Sequence, residues 1–233
     1  MDFARLTGRG VRVAIIDSGV NPAHPHIGAM AGGVHITPRG ESSLFLDYLG
    51  HGTAVTAAIH EKAPEAALYA VKVFDRSLRT SIDRIARAIE WSLDHGIHVV
   101  NLSLGALNPD HRSRFEPLIE RAAQAGVILV AAREVQGQLS LPGCLPGVIG
   151  VDLDWDCPRD TYRCESTVAG PRLFASGYPR PIPGVPPRRN LHGPSFAVAN
   201  LTGFAARARQ ICPAGSPQAV QAILTANARP PAA

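Results

Sequence analysis

The sequence predicts an α/β fold of three layers, in which a mainly parallel, doubly wound sheet lies between two layers of helices. Three observations predict it. Five short apolar runs rich in β-branched residues punctuate the chain. Amphipathic stretches of helical period fall between them. The length, 233 residues with 45% apolar and 18% charged, suits one globular domain over residues 1–233. Buried runs alternating with amphipathic helices describe a parallel sheet covered on both faces, and such sheets carry their sites at the carboxyl ends of the strands.

Val11–Asp17 (VRVAIID) is the first run, bounded by Gly10 and by SGVNP, and reads as a buried strand ending in a turn. Leu68–Phe74, Val99–Leu104, Val127–Ala132 and Val148–Val151 are the others. Ser81–His95 repeats Ile82, Ile85, Ile89 and Leu93 at helical spacing, with Thr80 placed to cap it and Gly96 just past its end. Phe115–Ala125 presents Phe115, Leu118, Ile119 and Ala122 on one face and stops at Gly126. Arg159–His192 is rich in Gly, Pro and Arg and reads as loop with one or two short strands. Ser195–Arg209 is apolar enough for a central buried helix. Ser216-Pro217 begin the last helix, with Pro in its first turn, and a frayed tail is expected from about residue 228.

The net charge of +4 comes from 23 Lys and Arg scattered along the chain. No basic block is interleaved with aromatics, so nucleic acid is not an expected partner. No apolar stretch approaches the roughly 18 residues of a membrane span. The N-terminus lacks a basic end followed by an apolar run, which predicts no secretion signal and a cytoplasmic location. The first strand begins about ten residues in, so a folded pro-segment is not expected. Cys144, Cys157, Cys164 and Cys212 are then expected as reduced thiols. In an oxidising compartment Cys157 and Cys164, which flank the turn CPRDTYRC, have the spacing to pair across a hairpin. No CxxC pair supports a zinc site, and no metal or other cofactor is expected.

Three fragments carry chemistry. Asp17 ends a buried strand, where a carboxylate is costly unless something pairs with it. His51 stands between Gly50 and Gly52 at a helix start. Ser195, in Gly193-Pro194-Ser195-Phe196-Ala197, begins the central helix, whose free N–H groups and dipole favour developing negative charge. Taken singly, DSG reads as a turn aspartate, the histidine as structural and the serine as a helix cap. Together they stand in the order Asp…His…Ser, one of the known orders of a catalytic triad.

Each fragment also resembles a signature of the subtilisin-like serine peptidases, the subtilases. VAIIDSGV is similar to the family's Asp strand, GHGTAV to its His motif, and GPSFAVANLTGFAA to its Ser helix, with Pro194 and Phe196 where the family usually has Thr and Met. APEAALYAVKVFD, VVNLSLG and LPGCLPGVIGVD resemble three further strands, so the likeness runs from about Gly8 to Ala208. The resemblance implies a subtilisin-like fold and a peptide or protein substrate. It implies a serine endopeptidase acting through an acyl-enzyme, with Ser195 as nucleophile, His51 as base and Asp17 as its orienter. Ser103, Leu104 and Gly105 would form an edge that pairs with an extended substrate.

Two departures from the family matter. The chain passes straight from the His51 helix to Ala63-Pro64, without the insertion that forms a strong calcium site in secreted subtilisins. The family's oxyanion-hole Asn falls where this chain reads Arg133-Glu134-Val135-Gln136, so Glu134 and Gln136 are the candidate side-chain donors. Losing one such donor costs roughly 100- to 1,000-fold in rate and leaves appreciable catalysis. The departure keeps two alternatives open beside a peptide-maturation protease: a weak or inactive peptide-binding pseudo-peptidase, and a transpeptidase or macrocyclase.

Overall fold

A computed structural model describes residues 2–168 and 170–229. In chain order the strands are β1 (Arg12–Asp17), β2 (Met30–Thr37), β3 (Gly40–Ser42), β4 (Ala67–Lys72), β5 (Val99–Leu102), β6 (Ile128–Ala132), β7 (Glu134–Val135), β8 (Gln138–Leu139), β9 (Ile149–Asp154), β10 (Arg163–Thr167) and β11 (Gly170–Ser176). The α-helices are α1 (His51–Lys62), α2 (Ile82–Asp94), α3 (Arg112–Gln124), α4 (Pro194–Gln210) and α5 (Pro217–Ala226). Nine strands form one sheet in the order β10-β11-β9-β6-β5-β1-β4-β2-β3, and β7 pairs only with β8. The interior pairings are parallel, and the edge strands β10 and β3 run antiparallel to their neighbours.

The two helical layers follow from strand alternation. Along β1, Val13 and Ile15 point into the core shared with α1, α4 and α5, while Ala14 and Ile16 point into the core shared with α2 and α3. Fully burying a side chain such as Ile15 contributes about 1.5–3 kcal/mol. The chain leaves β1 first toward β2 and β4, and after α2 builds β5, β6 and β9 on the other side. The carboxyl end of β1 is therefore the switch point of the sheet, where a crevice opens between diverging connections. Asp17 is the residue there, between Lys72 of β4 and the end of β5 at Leu102.

Several boundaries differ from the sequence expectation. Ser81, not Thr80, caps α2, its side chain accepting from the Arg84 N–H, because the helix begins one residue later at Ile82. Pro109–His111 form a 3-10 turn that starts α3 at Arg112, three residues before Phe115. The second strand in chain order, β2, comes from MAGGVHIT, whose two glycines hide its strand character. A Cβ at Gly33 would lie 2.6 Å from the Phe45 ring, so close packing of that ring decides the residue. The Pro-rich region contributes β10 and β11, the second of them a parallel neighbour of β9. Residues 228–229 are not frayed: the Arg229 N–H donates to Tyr162 O at 2.9 Å. The rest of the expected tail, 230–233, lies outside the described residues.

Candidate active site

Two glycines bring the histidine to the aspartate. Gly50, the N-cap of α1, has φ 78°, a left-handed conformation that lets the chain turn into the helix. Gly52 lies against the turn after β1, where a Cβ would come within 2.2 Å of Gly19 O. With no side chain between them, the start of α1 rests on the end of β1. The His51 Nδ1–H then donates to Asp17, with oxygens at 2.8 and 3.0 Å. Asp17 is fully buried, and its other partner is the Ser18 N–H at 2.7 Å.

A second carboxylate organises this junction. Asp47 accepts from the Ser18 hydroxyl and the Leu49 and Gly50 N–H groups on one oxygen, and from the Thr53 N–H and hydroxyl on the other. It thus caps α1 from a distance, in place of a side chain that Gly50 lacks. The Ser18 hydroxyl in turn accepts from the Gly52 N–H at 2.8 Å. Burial works against a charge on Asp47, but these hydrogen bonds, led by Thr53, outweigh it and hold its pKa below the ordinary 3.8. Lys72, itself buried, donates to Ser18 O at 2.6 Å and lies over the Tyr48 ring. Sequence reading missed Asp47 and Lys72. The signal was present in DYLGHGT, a carboxylate four residues before a histidine whose helix has a glycine cap.

Burial likewise opposes a charge on His51, yet the hydrogen bond and charge of Asp17, with the charge of Asp47, raise its pKa above the ordinary 6.5. The ring packs on Phe196, with centroids 5.7 Å apart. With Nδ1 committed to Asp17, Nε2 is the atom left to take a proton.

Ser195 is the second residue of α4, after Gly193 and Pro194. A relay from β5 holds this helix start in place. Thr202 donates to Asn101 Oδ1 at 3.0 Å, Asn101 Nδ2 donates to Ser103 Oγ at 2.7 Å, and Ser103 Oγ reaches Ser195 O at 3.4 Å. The Ser195 hydroxyl donates to Ser103 O at 3.1 Å. Ser195, His51, Ser103, Leu104 and Gly105 all line one cavity of about 590 Å³. Neither Leu104 nor Gly105 makes a backbone hydrogen bond to another described residue, whereas Ala106 is paired with Leu141. That short stretch of backbone is free to accept an extended chain.

The candidate oxyanion donors lie elsewhere. Val135 pairs with Gln138, so Gln136 and Gly137 form a two-residue hairpin turn, with φ 53° and 79°. Gln136 is exposed at its tip, and the Arg172 pKa is raised first by its hydrogen bond to Asp152, with the Glu134 charge adding to it. Neither is among the residues lining the cavity of His51 and Ser195. The N–H of Ser195, in the first turn of α4, is without an acceptor among the described residues, as a backbone donor to an oxyanion would need to be.

The four cysteines are free. Cys157 Sγ is directed at Pro158 O and Thr161 O, and Cys164 Sγ at Thr225 Oγ1, so the two thiols have different partners. No cluster of three or more His, Cys, Asp or Glu suited to a metal occurs among the described residues, and no helix there is long and apolar enough to cross a membrane.

Comparison with known proteins bears on this geometry. The profile of the Subtilase family, Peptidase_S8, matches residues 8–153, which include Asp17 and His51 but stop before Ser195. Subtilisin Savinase of Lederbergia lenta is 34% identical over 224 residues, covering 91% of this chain and 80% of the relative. M-protease of Shouchella clausii (strain KSM-K16) is also 34% identical over 224 residues, and this chain spans 57% of its length. Subtilisin E of Bacillus subtilis (strain 168) is 29% identical over 214 residues, 85% of this chain and 53% of the relative. The crystal structure of a cold adapted subtilisin-like serine proteinase superposes with a TM-score of 0.73 over 96% of this chain and 84% of that one, at 20% identity. The last likeness speaks for the fold, and the first two for descent: this chain belongs to the subtilase family of serine peptidases.

Proposed function

We propose that the protein is a serine endopeptidase with Asp17, His51 and Ser195 as its triad. The observation that carries this reading is the His51–Asp17 hydrogen bond at the wall of the cavity that Ser195 shares. A serine hydroxyl is a weak nucleophile at neutral pH and needs an adjacent base. When substrate enters, the Ser195 hydroxyl turns from Ser103 O to His51 Nε2. Oγ attacks the peptide carbonyl as His51 takes its proton. The C–N bond then breaks, the proton passes to the leaving amine, and water releases the acyl group by the same route. Asp17 keeps the imidazole in the productive tautomer and stabilises its charged form.

The test is labelling with a fluorophosphonate, alongside cleavage of a peptide library. Wild type should label and cleave, and Ser195→Ala should do neither while remaining folded. Full activity in Ser195→Ala would remove the assignment. A second reading, a pseudo-peptidase that binds peptides without turnover, draws on the Ser195–Ser103 hydrogen bond and on the hairpin that stands where the family has its amide donor. Under that reading wild type does not label. We further propose that the enzyme matures a peptide in the cytoplasm by hydrolysis. The four unpaired thiols support a reducing compartment. Product masses separate hydrolysis, which adds water, from transpeptidation, which does not.

A further inference from the structure

Two cavities flank the Gly50–His51 peptide. The larger, about 590 Å³, holds Ser195 and His51, has an apolar floor that includes Phe74, Ile85 and Leu104, and carries Arg79 and His111 in its wall. The smaller, about 210 Å³, is lined by Gly50 and Thr53 and, across from them, by His24, His26 and Arg180.

The charges in these walls are one-sided. Among the described residues, no carboxylate lines the larger cavity. Asp47 is the one carboxylate lining the smaller, and its two oxygens already serve Ser18, Leu49, Gly50 and Thr53. Neither Arg79 nor Arg180 has a carboxylate at ion-pair distance among the described residues, whereas Arg9, Arg112 and Arg114 on the outer surface are paired with Glu65, Glu116 and Asp83. Arg180 reaches only the His26 carbonyl, at 3.4 Å. Burial, and after it this unneutralised guanidinium, holds the His26 and His60 imidazoles below their ordinary pKa. An extended chain laid across His51 therefore meets a spare guanidinium on either side and no carboxylate free to receive a cation. The net charge of +4 acts in the same sense at long range.

We propose that the cleft selects acidic peptides, with an Asp or Glu on one or both sides of the scissile bond and apolar side chains next to it. The proposal rests on the peptidase reading for which bond is cut, and adds the substrate class. Arg79 reads an acidic residue on the Ser103–Gly105 side, and Arg180 reads one on the other side.

Matched peptides test it, identical except for Glu, Gln or Lys placed at successive positions on either side of one cleavage site. Wild-type kcat/KM should favour Glu over Lys by about threefold to fivefold per position, the size of an exposed ion pair. The preference should shrink at high salt. Arg79→Glu should invert the Glu-to-Lys ratio on one side and Arg180→Glu on the other. Arg5→Glu, which makes the same charge change at a side chain 88% exposed, ahead of the amino end of β1 and not at the carboxyl end that carries Asp17, should leave the ratio as it was. The same peptides, titrated onto Ser195→Ala protein and followed by fluorescence anisotropy, read the preference without catalysis. Equal affinity for Glu and Lys peptides, or ratios that ignore both charge swaps, overturns the proposal. Charge-selective binding without cleavage by wild type sustains the proposal and overturns the peptidase reading instead.

Discussion

Asp47 and Thr53 are joined twice: the Thr53 N–H and its hydroxyl both donate to one carboxylate oxygen, at 2.9 and 2.6 Å. The other oxygen holds Ser18, next to Asp17, and Gly50, next to His51. One side chain thus ties together the strand end, the helix start and the loop between them.

Replacing Asp47 by Asn should therefore act on both stability and pH dependence. The Asn amide turns an N–H toward the Thr53 N–H, leaving buried donors without an acceptor, each at about 1–3 kcal/mol. Because the carboxylate pKa is depressed in the folded protein, its stabilising contribution is present above the ordinary 3.8 and is lost as pH falls through the folded value. The Asp47 charge also raises the His51 pKa, so its removal should move the acid limb of kcat/KM to lower pH. A melting temperature that falls while the acid limb stays put would show that Asp47 only braces the fold.

Gly52→Ala should disrupt the Asp17–His51 contact from a residue that takes no part in chemistry. The added Cβ would sit 2.2 Å from Gly19 O, a backbone atom that cannot move alone. Overpacking of this kind costs roughly 1–3 kcal/mol. Thermal melting and kcat should both decline. Wild-type kcat in Gly52→Ala would mean that the close approach is not needed to place the histidine.

The hairpin at residues 134–139 makes a clear forecast for the oxyanion. Glu134→Gln and Gln136→Ala should leave both the rate and the pH–rate profile unchanged, since neither side chain lines the catalytic cavity. The developing charge then rests on backbone donors, chiefly the Ser195 N–H. A hundredfold fall in kcat for either variant, the benchmark for removing one oxyanion donor, would place that side chain in the hole.

Lys62, buried at the end of α1, has its pKa lowered to about 8 by burial, then by the charge of Arg159. The unfolded chain holds this proton up to the ordinary 10.5, so between pH 8 and 10.5 the unfolded state binds more protons. Wild-type stability should rise with pH in that window relative to Lys62→Met, which lacks the titration. Denaturant melts of the two proteins across the window check this, and parallel pH dependences would contradict it.

Cys157 should be the slowest thiol to react. Burial, with Asp154 nearby, pushes its pKa up to about 11, and the thiolate is the reactive form. Alkylation of the native protein should spare it, while alkylation after denaturation should find four free thiols. Two free thiols after denaturation would support a Cys157–Cys164 bridge.

By itself the sequence determined the layers of this protein and the identity of its chemical groups. The apolar runs at Val13–Ile16, Val99–Leu102 and Ile128–Val130 bury on both faces, and local hydrophobic pattern alone is enough to mark such strands. Asp17, His51 and Ser195 stood out because each lies at an element end with small or turn-forming neighbours. β2 was illegible, because Gly32 and Gly33 are explained only by Tyr69 and Phe45 packing on them from distant positions. The Thr202–Asn101–Ser103 relay was equally hidden, since hydrogen-bond partners up to 101 residues apart leave no periodic trace. The turn at Gln136–Gly137, which decides which way the backbone carries Glu134 and Gln136, was hidden for the same reason. Distances along a chain set the elements, and only the packing of those elements against one another decides which side chains meet.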